Sequence, residues 1–182
     1  MDEEAAIDPV SILRDIEESC RLCNTRDLQQ PAEIFSEWSG IAFRVRNNYL
    51  LAPLDEVVEI LDIPKLARVP LAQPWVRGIA NIRGNLLPVV DFSGLLGGEV
   101  AAVTERTRVL VIDYDGIYSG LVVDEVYGLK HFMEGERADE TPEVDGSLLP
   151  FIRNEYRRDG RVWYEFSLFM LADTPQFLKT AV

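Results

Sequence analysis

The sequence contains one histidine, His131, and two cysteines, Cys20 and Cys23, among 182 residues. A structural zinc takes about four soft ligands, so these three side chains cannot build such a site within one chain. The cysteines form a C-x-x-C, but a thioredoxin-type motif follows a strand and opens a helix. Here Ile12, Leu13, Ile16, Cys20 and Cys23 recur at helical spacing, and both cysteines read as apolar-face residues of an ordinary helix. No run approaches the roughly 18 apolar residues of a membrane span. The start, MDEEAAIDP, is acidic where a signal peptide is basic and then apolar. Positive charge is scarce as well: 18 Lys and Arg stand against 31 Asp and Glu, a net charge of -13. A phosphate backbone or an anionic membrane needs a cationic face, so neither nucleic acid binding nor direct membrane insertion is expected. The expectation is a soluble cytoplasmic protein.

What the chain does hold is 47% apolar residues, enough for a packed core. Asp8-Pro9 is a good helix start, since the aspartate caps free N–H groups and proline loses nothing at the first helical position. The helix is expected to run to about Asn24. Residues 1–40 carry ten acids and three bases, so residues 1–38 read as an acidic leader appended to a core at 39–182. From Ile41 onward the pattern becomes that of strands. Hairpin turns are expected at Asn47-Asn48, Arg83-Gly84-Asn85, Asp115-Gly116 and Asp159-Gly160, residues suited to tight turns between apolar runs.

The hairpins repeat. WVRG at 75–78 and FIRN at 151–154 lie 76 residues apart, and the turn glycines Gly84 and Gly160 keep that offset. DFS at 91–93 answers EFS at 165–167 with a two-residue slip, and LDEV at 54–57 answers VDEV at 123–126. Two copies of one unit follow: hairpin, crossover, hairpin. Four or five short strands per copy have edges to hide, and closing each copy into a small barrel hides them. The first barrel is expected at about 39–100 and the second at about 105–182. Small barrels are filled by their own side chains, which leaves outer surfaces and the groove between barrels for function.

Candidates for chemistry are few. His131 in GLKHF has no obvious carboxylate to orient it. Asp113, Asp115, Asp124 and Glu125 are acids that a hydrolase could pair, yet Asp115 forms a turn, Asp113 points outward, and Asp124-Glu125 mark a strand end. Gly78 and Gly84 enclose a loop, but no Gly-Lys-Ser/Thr follows to hold a phosphate. A third class, a barrel binding an oligosaccharide or nucleotide, requires exposed aromatics, for which Trp75, Tyr118, Trp163 and Tyr164 are the candidates. Arg83 stands apart from these. It sits at a hairpin tip between Val76, Ile79 and Ile82 on one side and Leu86, Leu87 and Val89 on the other, and Pro88 favours an edge position for the outgoing strand. Guanidinium groups are enriched at interfaces and pair well with carboxylates, so Arg83 reads as an anchor for another protein.

The runs FRVRNNYLLAPLDEVVEIL, VPLAQPWVRGIANIRGNLLPVVDFSGLLG and TRVLVIDYDGIYSGLVVDEVYGL closely resemble the CheW-like coupling domain of bacterial chemosensory systems. The carriers are G-x-x-N-x-R-G (Gly78, Asn81, Arg83, Gly84), the following L-P-V-x-D and the G-L-x-V-D-x-V run. Within that family the wording is most like PilI-type adaptors of the pilus system that controls type IV pili and twitching motility. The resemblance implies a mainly β fold of two small five-stranded, SH3-like barrels packed together, with an N-terminal helical extension here. It also implies a non-catalytic adaptor without cofactor or metal, joining the cytoplasmic tip of a methyl-accepting chemoreceptor to the regulatory, itself CheW-like, domain of a CheA-type histidine kinase. Other CheW-like domains would join it in an array, held near the membrane by the receptors. The partner-binding positions it carries over are Val57, Glu59, Gly78, Asn81, Arg83 and Gly84, with Val122, Val123 and Val126 on the inter-barrel side.

Overall fold

The computed structural model describes residues 37–138 and 144–179; the expected leader helix, Asp8-Pro9 and both cysteines lie outside the described residues. The described residues belong to one unit, Ser36–Val182. Strands β1 (Glu37–Val45) and β2 (Asn48–Pro53) form the first hairpin, and β3 (Glu59–Asp62) follows a 3₁₀ turn at Leu54–Glu56. β4 (Val76–Ile82) and β5 (Asn85–Asp91) form the second hairpin, closed by the short helix α1 (Phe92–Leu95). β6 (Arg108–Tyr114), β7 (Ile117–Val123), β8 (Glu125–Met133) and the two-residue β9 (Arg137–Ala138) come next. β10 (Ile152–Arg158) and β11 (Arg161–Phe166) form the last hairpin, before α2 (Leu168–Ala172) and α3 (Pro175–Leu178).

Three hairpins turn as expected. Arg83-Gly84, Asp115-Gly116 and Asp159-Gly160 all have positive φ at both positions, the backbone of a two-residue turn whose twist matches the strands. The first hairpin differs by one residue. Val45 pairs with Asn48, so Arg46-Asn47 forms the turn, with φ of +55° on Arg46. An arginine accepts that backbone because its other bonds hold it there. Its Nε donates to Ser93 Oγ at 2.7 Å, Nη2 to the Ser93 carbonyl at 2.8 Å, and its backbone N–H to Asp124 Oδ2 at 2.6 Å.

The strands make two curled sheets, one ordered β8-β1-β2-β11-β10-β9 and the other β3-β6-β7-β5-β4. This corrects the expected division into consecutive barrels at 39–100 and 105–182. Each sheet takes the first hairpin of one copy and the third strand and last hairpin of the other, joined by the parallel pairs β2/β11 and β5/β7. A cut near residue 100 would sever both sheets. The repeat itself survives, and in better register than the DFS/EFS match with its slip. Asp91 is the N-cap of α1 and Ser167 the N-cap of α2, 76 residues apart like the turns. Their N–H groups bond the carbonyls of Trp75 and Phe151, again 76 apart, at 2.7 and 2.9 Å.

Alternate residues of the central strands enter different cores. Val109 and Val111 fill the five-stranded barrel with Ala80, Leu87, Val89 and Val122. Leu110 and Ile112 point the other way, into the largest cluster, with Phe43, Leu50, Val90, Phe92, Leu121, Val123 and Phe166. Ala42, Leu51, Phe132, Tyr156 and Trp163 fill the other barrel. Burial on both faces explains why TRVLVID is apolar without alternation. It also means that the space between the sheets is core rather than an open groove, at roughly 1.5–3 kcal/mol for each large side chain removed from water.

Candidate protein-interaction site

β5 was expected at an edge because of Pro88, and it lies between β7 and β4 instead. The two-residue turn makes Ile82–Asn85 a hydrogen-bonded pair, so Pro88 opposite Ile79 falls in a non-bonded position toward β4. On its other side the parallel ladder with β7 begins only at Val89. No ladder bond needs the missing N–H. The edge is β4, and a single bridge covers it: Ala67 and Ile79 exchange two N–H···O bonds of 2.9 Å. Gly78 makes that cover possible. Its φ is +143°, it sits at a bulge, and an added Cβ would stand 2.5 Å from the Ala67 carbonyl oxygen. Gly78 is buried, so its part in the site is this close approach rather than an exposed contact.

Arg83 projects from the end of the hairpin, its side chain 78% exposed, and Nη2 donates to Glu59 Oε1 at 2.6 Å. Glu59 stands on β3, at the opposite end of the sheet order. The ion pair therefore crosses the seam where the five-stranded sheet curls onto itself. An exposed pair of this kind contributes about 0–1 kcal/mol to stability, so its main effect is to aim the guanidinium. Asn81 stiffens the same tip, its Oδ1 accepting from the Gly84 N–H at 2.9 Å. Glu59, Asn81, Arg83 and Gly84 are thus brought together on one surface.

The other expected contacts separate from it. Val122 and Val123 are each 1% exposed, and as inward residues of β7 they pack in two different cores, so a partner-binding role gives way to packing. Val57 and Val126 are half-buried against the central cluster. The acids also find structural uses. Asp124 and Glu125 hold Arg44 at 3.3 and 3.7 Å, and Asp113 and Asp115 are exposed. His131 Nδ1 lies 2.7 Å from Ser39 Oγ at the surface. Of the aromatics a ligand-binding barrel would expose, Trp163 and Tyr164 are buried. Burial and the Glu165 carboxylate push the neighbouring Tyr156 hydroxyl up to about 12.

Several residues carry weight without having been singled out in the sequence. Glu56 is buried and accepts from Ser167 Oγ and from the Leu168 and Phe169 N–H groups while pairing with Arg153 at 3.3 Å. Arg46 ties the first hairpin to the end of α1. No local pattern marks either, since the partners of their side chains are 47 or more residues away. No helix among the described residues is long and apolar enough to cross a membrane.

Known proteins place this arrangement. The chain is 37% identical over 174 residues to protein PilI of Pseudomonas aeruginosa, covering 96% of this chain and 97% of that one. It is 31% identical over 130 residues to chemotaxis protein CheW of Bacillus subtilis, covering 69% and 83% respectively. The crystal structure of the scaffolding protein TtCheW from Thermoanaerobacter tengcongensis superposes with a TM-score of 0.64 at 19% identity, over 76% of this chain and 94% of that one, which shows the shared fold. Residues 39–176 match the CheW-like domain, and with two curled barrels, the G-x-x-N-x-R-G hairpin and these relatives in agreement, the chain belongs to the CheW-like domain family.

Proposed function

We propose that this chain is a non-catalytic signalling adaptor that couples a chemoreceptor to a CheA-type histidine kinase in a pilus-linked chemosensory pathway. Its place is the cytoplasm, held at receptor arrays through its partners. The observation that carries the reading is Arg83, presented on a stiff tip and aimed across the barrel seam by Glu59. A fixed cation on a protein edge selects and orients a partner more than it stabilises its own fold. Side chains fill both barrels, which supports a role for outer faces over catalysis. Glu59, Asn81, Arg83 and Gly84 make the kinase-facing contact. The receptor's amphipathic hairpin lies at the rim of the central core, where Leu129 and Met133 stay exposed on the same face of β8 as their neighbour Ile41 on β1. Individually weak contacts gain strength when an array multiplies them.

Arg83→Glu tests the assignment, since it places two carboxylates together and reverses the anchor. The variant is expected to fold as the parent does and to lose co-purification with the purified regulatory domain of the kinase. Wild-type recovery of that domain would refute the anchor role.

A further inference from the structure

The edge that carries Arg83 is charged unlike the rest of the protein. Residues 63–90 hold four bases, Lys65, Arg68, Arg77 and Arg83, and no acid, in a chain of net charge -13. Arg77 is committed to Asp91 and Arg83 to Glu59. Lys65 and Arg68 are exposed and have no carboxylate partner among the described residues. Between them and the Arg83 tip runs an open cleft of about 490 Å³, walled by Pro64, Leu66, Ala67, Ile79 and Leu86, with Lys65 at its side. Leu86 is 68% exposed on its rim. At the far end of β4, a seven-residue strand and so about 20 Å from the tip, the Pro70-Leu71 turn holds Leu71 with φ of +61° and its side chain fully in solvent. A bulky side chain in left-handed backbone is unfavourable, and Leu71 gains no burial within its own chain to offset that. Glycine or asparagine is what such a turn asks for.

We propose that this edge is a docking surface for an acidic protein face. That face places an aliphatic side chain in the cleft beside Lys65 and carboxylates against Lys65 and Arg68, and receives Leu71 in an apolar socket. The inference rests on the adaptor reading and names the chemistry of what sits beside Arg83. Apolar walls and a projecting leucine suit a protein partner, and the strong negative charge of the chain as a whole opposes a polyanion or an anionic lipid surface.

The test measures binding of the full-length chain to the purified kinase regulatory domain, by calorimetry at two salt concentrations. Lys65→Glu and Arg68→Glu are each expected to weaken binding about tenfold and to reduce its salt dependence. Leu71→Asn relieves the turn, because asparagine tolerates positive φ, so its melting temperature should hold or rise while affinity falls about tenfold. That combination separates a contact from a structural role. Unchanged binding by all three variants, with Arg83→Glu still defective, overturns the docking surface and leaves the adaptor reading intact; normal binding by Arg83→Glu overturns the anchor role of Arg83, and no binding by the parent chain overturns the adaptor reading itself. Binding of the parent chain to phosphatidylglycerol vesicles that Lys65→Glu and Arg68→Glu abolish would overturn the inference in favour of a membrane.

Discussion

Asp91 shows how one buried carboxylate does structural work on the inner side of the interaction hairpin. It has no exposed surface, caps α1 through the Gly94 N–H at 2.9 Å, reaches the Ala101 N–H at 3.1 Å and faces Arg77 at 3.7 Å. Burial, the largest influence, raises its pKa from the ordinary 3.8, and the two amide bonds and the Arg77 charge only partly oppose this. The folded chain therefore holds this proton more tightly than the unfolded chain. The resulting contribution to stability is full below 3.8 and is lost as pH rises through the higher folded value. Asp91→Asn removes the step. Urea unfolding across the acid range should show the parent losing stability relative to the variant as pH rises, and the opposite slope would contradict the assignment. At this scale the motif positions were legible because each answers a local demand: Gly84 for turn backbone, Asn81 to accept from it, Arg83 at the tip. Val122 and Val123 were misread because an apolar strand residue looks the same whether it faces a partner or a second core, and only the sheet packing distinguishes them.

At the scale of elements, the two copies solve one capping problem with different residues. Asp91 caps α1 by itself, whereas α2 is capped by Ser167 through the Met170 N–H, with Glu56 bonding the next two free N–H groups from across the sheet. Ser167 Oγ also donates to Glu56 at 2.9 Å, and Arg153 bonds both. Removing the serine cap costs about 1 kcal/mol. Glu56→Ala leaves Arg153 and two amides without their partner and is expected to cost about 3 kcal/mol. The two losses share one network, so the double variant Glu56→Ala/Ser167→Ala should be less destabilised than the sum by about 0.5 kcal/mol or more, as read from denaturant midpoints. Strict additivity would show that the network does not act as one. The turn positions of three hairpins were readable from Arg-Gly and Asp-Gly pairs. The neighbours of each hairpin were not, which is how Pro88 suggested an edge for a strand that has partners on both sides.

At the scale of the whole molecule, the exchange of strands makes the halves interdependent. The repeat was visible in the sequence because its turns and caps keep a constant offset. The exchange was not visible, since pairing β2 with β11, more than 100 residues apart, leaves no local trace. Neither half has a sheet of its own: β1 and β2 need β8 and β11 as neighbours, and β6 and β7 need β3 and β5. Two expectations follow from that dependence. Unfolding of the CheW-like region should be a single cooperative transition by both circular dichroism and tryptophan fluorescence. Fragments 36–103 and 104–182, divided in the exposed loop before β6, should each lack a cooperative transition alone and regain one, with native-like circular dichroism, when mixed in equal amounts. Sheets joined by such distant pairings form slowly, so recovery should be limited first by association of the fragments and depend on their concentration. Independent melting of either fragment would mean that its strands satisfy each other, and the barrels would then be consecutive after all.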